Sequence, residues 1–148
     1  MKWITRERLR VDRVASAWLI LRFVDSDAEF LFVPRGKVME VADFQRAIPF
    51  HVSEAELGKH GNRTGFDAIL AKYHLDDPAL ALLADIVRSA DRADPTLTTR
   101  EGDGLWALSH GFFLLALPDS ESLAQQLPVF DALYAYCRDK LTKPSKPA

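Results

Sequence analysis

What most restricts the fold of this chain is where its strand signals stop. Beyond about residue 52 the apolar patterns have helical spacing, and the breaks between them are caps or prolines. Any sheet must therefore come from the first third of the chain. There, KWITR (2–6) alternates like a short strand. AEFLFVP (28–34) is apolar on both faces and rich in aromatic and branched side chains. That composition predicts a central strand, ended by Pro34. IPFHV (48–52) predicts a third strand, placed at an edge because Pro49 has no amide to donate; His51 points away from its apolar face.

Asp12 reads as the N-cap of a helix over 12–24, with Val14, Ala15, Trp18 and Leu21 at helical spacing. Residues 37–47 carry a weaker helical pattern. Another helix opens near Gly65 and runs through His74. Asp77 followed by Pro78 starts a helix whose stripe of Leu80, Leu83, Ala84 and Val87 continues to about Ala90. Thr98 or Thr99 opens the next, stopped by Pro118. Asp119 and Ser120 cap the last, which reaches Leu141 and should be kinked or divided at Pro128. The expectation is α+β and predominantly helical: about three strands near the N-terminus and five or six surrounding helices. They form one domain over 1–141, and 142–148 reads as a disordered tail.

With 148 residues, 48% apolar and 27% charged, the chain can bury a core of its own. Its net charge of -2 offers no general field for nucleic acid or an anionic membrane. Cys137 is the single cysteine, which excludes an internal disulfide and a paired-cysteine zinc site. Its apolar helical surroundings predict a buried, inert thiol. The N-terminus is charged and lacks a signal peptide's apolar core, and no run approaches the roughly 20 residues of a membrane helix. The expected setting is soluble and cytoplasmic.

Three sets of residues could carry chemistry. In LGKHGNRTGFD, glycines at 58, 61 and 65 surround His60, and Asp67 lies in the first turn of the following helix. The loop presents either a metal ligand, sharing a divalent cation with Asp67, or a polar turn with a capping aspartate. Asp91 falls on the apolar stripe of its helix. It pairs with an arginine such as Arg88, ligates a metal, or ends the helix at the surface. Arg6, Arg13 and Arg22 form the third set. Arg13 sits in a helix's first turn, against the helix dipole, where it meets an anion or an internal acid. His74 suits a helix C-terminus and His110 a hydrogen-bonded core position. Walker, GxGxxG and GxSxG motifs are absent from the sequence.

The opening run WITRERLRVDRVASAWLILRFVDSDAEFLFVP is followed by PFHV, HGNRTGFDAIL, DPALALLADIVRSAD, TREGDGLWALSHG and VFDALYAYCR. Over residues 3–138 this succession resembles the ChrB-type chromate-resistance domain, which forms the C-terminal part of a regulator and also occurs as stand-alone chains. The resemblance carries over to Trp3, Arg6, Asp12, Arg13, Trp18, Arg22, His60, Phe66, Asp91, Glu101 and Gly104. It departs where the family reads A-C-P-W and this chain has Ala15-Ser16-Ala17-Trp18, which removes a thiol. His51 stands where aspartate is frequent, Asp67 where glutamate is, and His110 where an apolar residue is usual.

The resemblance implies a role in chromate or oxyanion stress. Three functions remain open. The first is a ligand-binding domain, with Arg6, Arg13, Trp18 and Arg22 facing a small anion and His60, Asp67 and Asp91 holding a divalent metal. The second is a small metal-dependent enzyme using His60 as ligand or general base. The third is a structural or interaction module. Membrane and nucleic-acid partners are not expected for this chain.

Overall fold

The computed structural model describes residues 1–52, 55–58 and 61–143. Strand β1 (Lys2–Arg6) lies between two parallel partners, β2 (Glu29–Val33) and β3 (Ile48–Pro49). Parallel neighbours need a crossover. Helix α1 (Val11–Leu19), prolonged by a π-helical turn over Ile20–Val24, supplies the first, and α2 (Val38–Gln45) supplies the second. Four further helices follow: α3 (Gly65–Lys72), α4 (Pro78–Asp91), α5 (Arg100–Leu115) and α6 (Asp119–Thr142). The architecture is α+β, as the sequence predicts. None of the helices is long and apolar enough to cross a membrane, among the described residues.

Alternation along the strands divides the core. Trp3, Phe30 and Ile48 are paired in register and join the main core with α1, α3, α4 and α6. Ile4 and Leu31 point the other way, onto Val38, Ala42 and Ala47. Helices thus cover both faces, which is why the 28–34 segment is apolar on both. The central position nevertheless belongs to β1. Trp3, Ile4 and Thr5 are buried, whereas β2 is an edge strand whose apolar residues stay half-buried.

All nine residues of α1 are buried, and the predicted stripe Leu80, Leu83, Ala84 and Val87 lies in the core. Cys137 is buried too, and burial pushes its thiol up to about 11, so it stays protonated.

Several local expectations are corrected. Arg10, not Asp12, is the N-cap of α1, and Pro118, not Asp119, that of α6. Each aspartate caps another segment instead. The third strand stops at Pro49, because His51 turns into the left-handed region at φ 54°. Helix α6 runs through Pro128 without dividing. Asp77 and Thr99 do cap α4 and α5, accepting from Ala79 N at 2.8 Å and Gly102 N at 2.8 Å. Of the tail, residues 144–148 lie outside the described residues.

Candidate functional site

In a parallel sheet, strand carboxyl ends open onto the loops that bind ligands. Here the ends of β1 and β2 adjoin, and both carry arginine. Arg6 closes β1. Arg8 and Arg10 follow on the connection to α1, Arg13 lies in that helix's first turn, and Arg35 follows β2. With Glu7 and Phe113 these five arginines line one open cavity of ≈ 270 Å³.

The connection is held rigidly. Arg8 adopts a left-handed conformation, φ 64°, which a non-glycine residue keeps only when its surroundings enforce it. The enforcement comes from Asp119. Its carboxylate accepts from Arg8 N and Leu9 N, each at 3.0 Å. Arg13 Nη2 donates to Arg8 O at 2.5 Å. Arg8 and Arg10 then stack on Phe113, their guanidinium carbons 4.8 and 4.0 Å from the ring centre.

The cavity is strongly electropositive. Burial lowers the Arg13 pKa to about 10, helped by Arg6 and Arg10, while Asp12 and Asp119 pull the other way. Arg6 is lowered by burial, then by Arg35 and Arg10, with Asp91 opposing. Arg13 is 3% exposed, and its Nε is buried without a hydrogen-bond partner among the described residues. A buried, unpaired guanidinium N–H is costly unless an acceptor arrives.

Of the four predicted anion ligands, Arg6 and Arg13 meet at this cavity. Trp18 and Arg22 converge elsewhere, on Asp131 of α6. Trp18 Nε1 donates to Oδ1 at 2.7 Å, and Arg22 bonds both oxygens at 3.0 Å. Arg8, Arg10, Arg35 and Phe113 were not singled out from the sequence. The signal available was RERLR, three arginines at alternating positions from the end of β1 into the connection.

The predicted metal set has different surroundings. His60 lies outside the described residues. Asp67 completes a capping box with Thr64 at the start of α3. Arg88 Nε stands 3.1 Å from it as an ion pair, at an angle outside hydrogen-bond geometry. Arg88 also bonds Asp85 at 2.7 Å. Asp91, at the end of α4, acts on Arg6 through its charge and lines a small cavity of ≈ 120 Å³ beside Arg10. Among the described residues, no group of three histidine, cysteine or acidic side chains is placed to hold a metal ion.

Asp12 anchors the other side of α1. Its carboxylate accepts from Gly65 N at 2.7 Å and Phe66 N at 3.1 Å. His51 Nε2 is 2.8 Å away, an ion pair when the imidazole is protonated, at an angle outside hydrogen-bond geometry.

A sequence model of the ChrB C-terminal domain matches residues 3–137, which includes every arginine of the cavity and both anchoring aspartates. The chain belongs to the ChrB C-terminal domain family. It is also 34% identical over 137 residues to Protein ChrB of Cupriavidus metallidurans, a match that covers 91% of this chain. The chain spans 40% of that relative's length. No solved structure matches it. The ChrB family is the chromate-resistance-related family that the sequence blocks resemble.

Proposed function

We propose that this ChrB-type domain binds a tetrahedral oxyanion, of the chromate and sulfate class, in the arginine cavity. The observation that carries the reading is the buried Nε of Arg13, which has no hydrogen-bond partner among the described residues and belongs to a wall of five arginines. An oxyanion there satisfies the orphaned donor and offsets the mutual repulsion of Arg6, Arg10 and Arg13. Guanidinium suits the task, because its planar fork matches two oxygens at once and it stays charged at physiological pH. The start of α1, which has no side-chain cap, adds its dipole to the same field.

The chemistry is binding, with chromate resistance as the cellular setting that the family membership supports. Calorimetric titration of sulfate and chromate at low salt tests it. One anion per chain is expected. Arg6→Gln and Arg13→Gln each weaken it roughly tenfold or more, the range for a charge-assisted hydrogen bond. Folded variants, verified by circular dichroism, that bind as tightly as the parent defeat the reading.

A further inference from the structure

We propose that the cavity is built for two linked tetrahedral anions, a diphosphate group, and not for one. The inference rests on the oxyanion reading and specifies its ligand class. A single tetrahedral oxyanion displaces about two waters, roughly 60 Å³ at ~30 Å³ each. The cavity measures ≈ 270 Å³, several times that space. Its charge is in excess as well: five guanidiniums face one lining carboxylate, Glu7. A lone dianion offsets only part of that lining charge, and Asp12, Asp119 and Asp91 act on Arg13 and Arg6 from outside the lining.

The arginines also fall into two groups of different character. Arg13 is buried and Arg6 half-buried, and they repel one another; Arg13 Nε has no hydrogen-bond partner among the described residues. Arg8 and Arg10 are exposed and share the ring of Phe113. A guanidinium seated over a ring can still donate its N–H groups to an anion. Arg35, also exposed, lies close enough to Arg6 to depress it and borders the same space. One tetrahedron meets Arg6 and Arg13, and a second, joined through a bridging oxygen, meets Arg8 and Arg10. The diphosphate is either inorganic or esterified, since both present the same two centres.

Competition calorimetry with inorganic phosphate, pyrophosphate and ADP tests this. Pyrophosphate should bind one per chain and roughly thirtyfold tighter than phosphate, because the second centre adds charge-assisted bonds. Arg10→Gln, a change at an exposed side chain, should remove most of that ratio. ADP binding as tightly as pyrophosphate supports the esterified source, and much weaker ADP the inorganic one. Equal affinities for phosphate and pyrophosphate overturn the two-centre inference and leave the oxyanion reading standing. If neither ion binds at low salt, both fall together.

Discussion

Asp12 stands in the first turn of α1 and caps α3: its Oδ2 accepts the Gly65 N–H at 2.7 Å. The sequence separation is 53 residues, so this one carboxylate fixes the start of α3 against the sheet-covering helix. Burial pushes the Asp12 pKa up, but His51 and the amides of Gly65 and Phe66 outweigh it and hold it below its ordinary value. A depressed acid contributes stability that is complete above its unfolded pKa and is lost as pH falls through the folded one. Asp12→Ala should therefore cost about 3 kcal/mol near neutrality, the scale for breaking a buried charged pair. The cost should shrink below an unfolded value of 3.8. Urea unfolding of parent and variant across that range checks it. A cost independent of pH would show that the carboxylate's charge is immaterial.

Asp119 repeats the device on the other side. It belongs to α6 by sequence and to the arginine connection by hydrogen bonding, at 3.0 Å to both Arg8 N and Leu9 N. Removing it frees a backbone that holds φ 64° at Arg8. Asp119→Ala should lower stability by about 1–2 kcal/mol, since two amides lose their acceptor. It should also weaken sulfate binding several-fold although the side chain touches no anion. Asp119→Asn, which keeps an acceptor oxygen, should recover part of both. Titration of the three proteins reads the affinity, and denaturation the stability.

These two aspartates show what the sequence leaves open. A carboxylate near a helix start signals that free amides lie close by, not which segment owns them. Asp77 and Thr99 cap their own helices because the next amides in sequence are the closest. Asp12 and Asp119 reach across the fold because packing brings other amides nearer. The strands and helices were legible, since a period of two or 3.6 is a local property. That β1, and not β2, occupies the centre of the sheet was not legible, because two-sided helical cover makes either strand apolar. Arg6 and Arg13 stood out, the latter by opposing its helix dipole. Arg35 and Phe113 reach the cavity only through the parallel pairing of β1 with β2 and the packing of α5, which no sequence spacing records.

Two glycines of α5, in REGDG, face opposite situations. A Cβ on Gly102 would collide with Ser89 Oγ of α4 and lie 2.7 Å from Thr99 Oγ1. A Cβ on Gly104 would meet nothing within 4 Å. Gly102→Ala should destabilise by about 1–3 kcal/mol through overpacking. Gly104→Ala should stabilise by about 0.5–1 kcal/mol, because alanine loses less backbone freedom than glycine in a helix. Thermal or urea unfolding of the two variants should move in opposite directions. Stabilisation by Gly102→Ala would place the close contact elsewhere, and destabilisation by Gly104→Ala would show that its Cβ is not in open space.

Arg22 and Arg13 separate a latch from a ligand site. Arg22 is paired at both oxygens of Asp131, which also accepts from buried Trp18, so the three tie the π-helical turn to α6. The Arg22 and Asp131 side chains are 40% and 46% exposed, and solvent screens such a pair. Arg22→Ala should cost about 0.2–1 kcal/mol of stability, with sulfate affinity unchanged. Trp18→Phe should cost more, about 1–3 kcal/mol. It removes a buried donor to Asp131 and leaves space beside Phe130 and Tyr134. Arg13→Gln should show the converse, a large loss of affinity. A drop in sulfate affinity in Arg22→Ala equal to that in Arg13→Gln would move the anion toward Asp131 and away from the ends of β1 and β2.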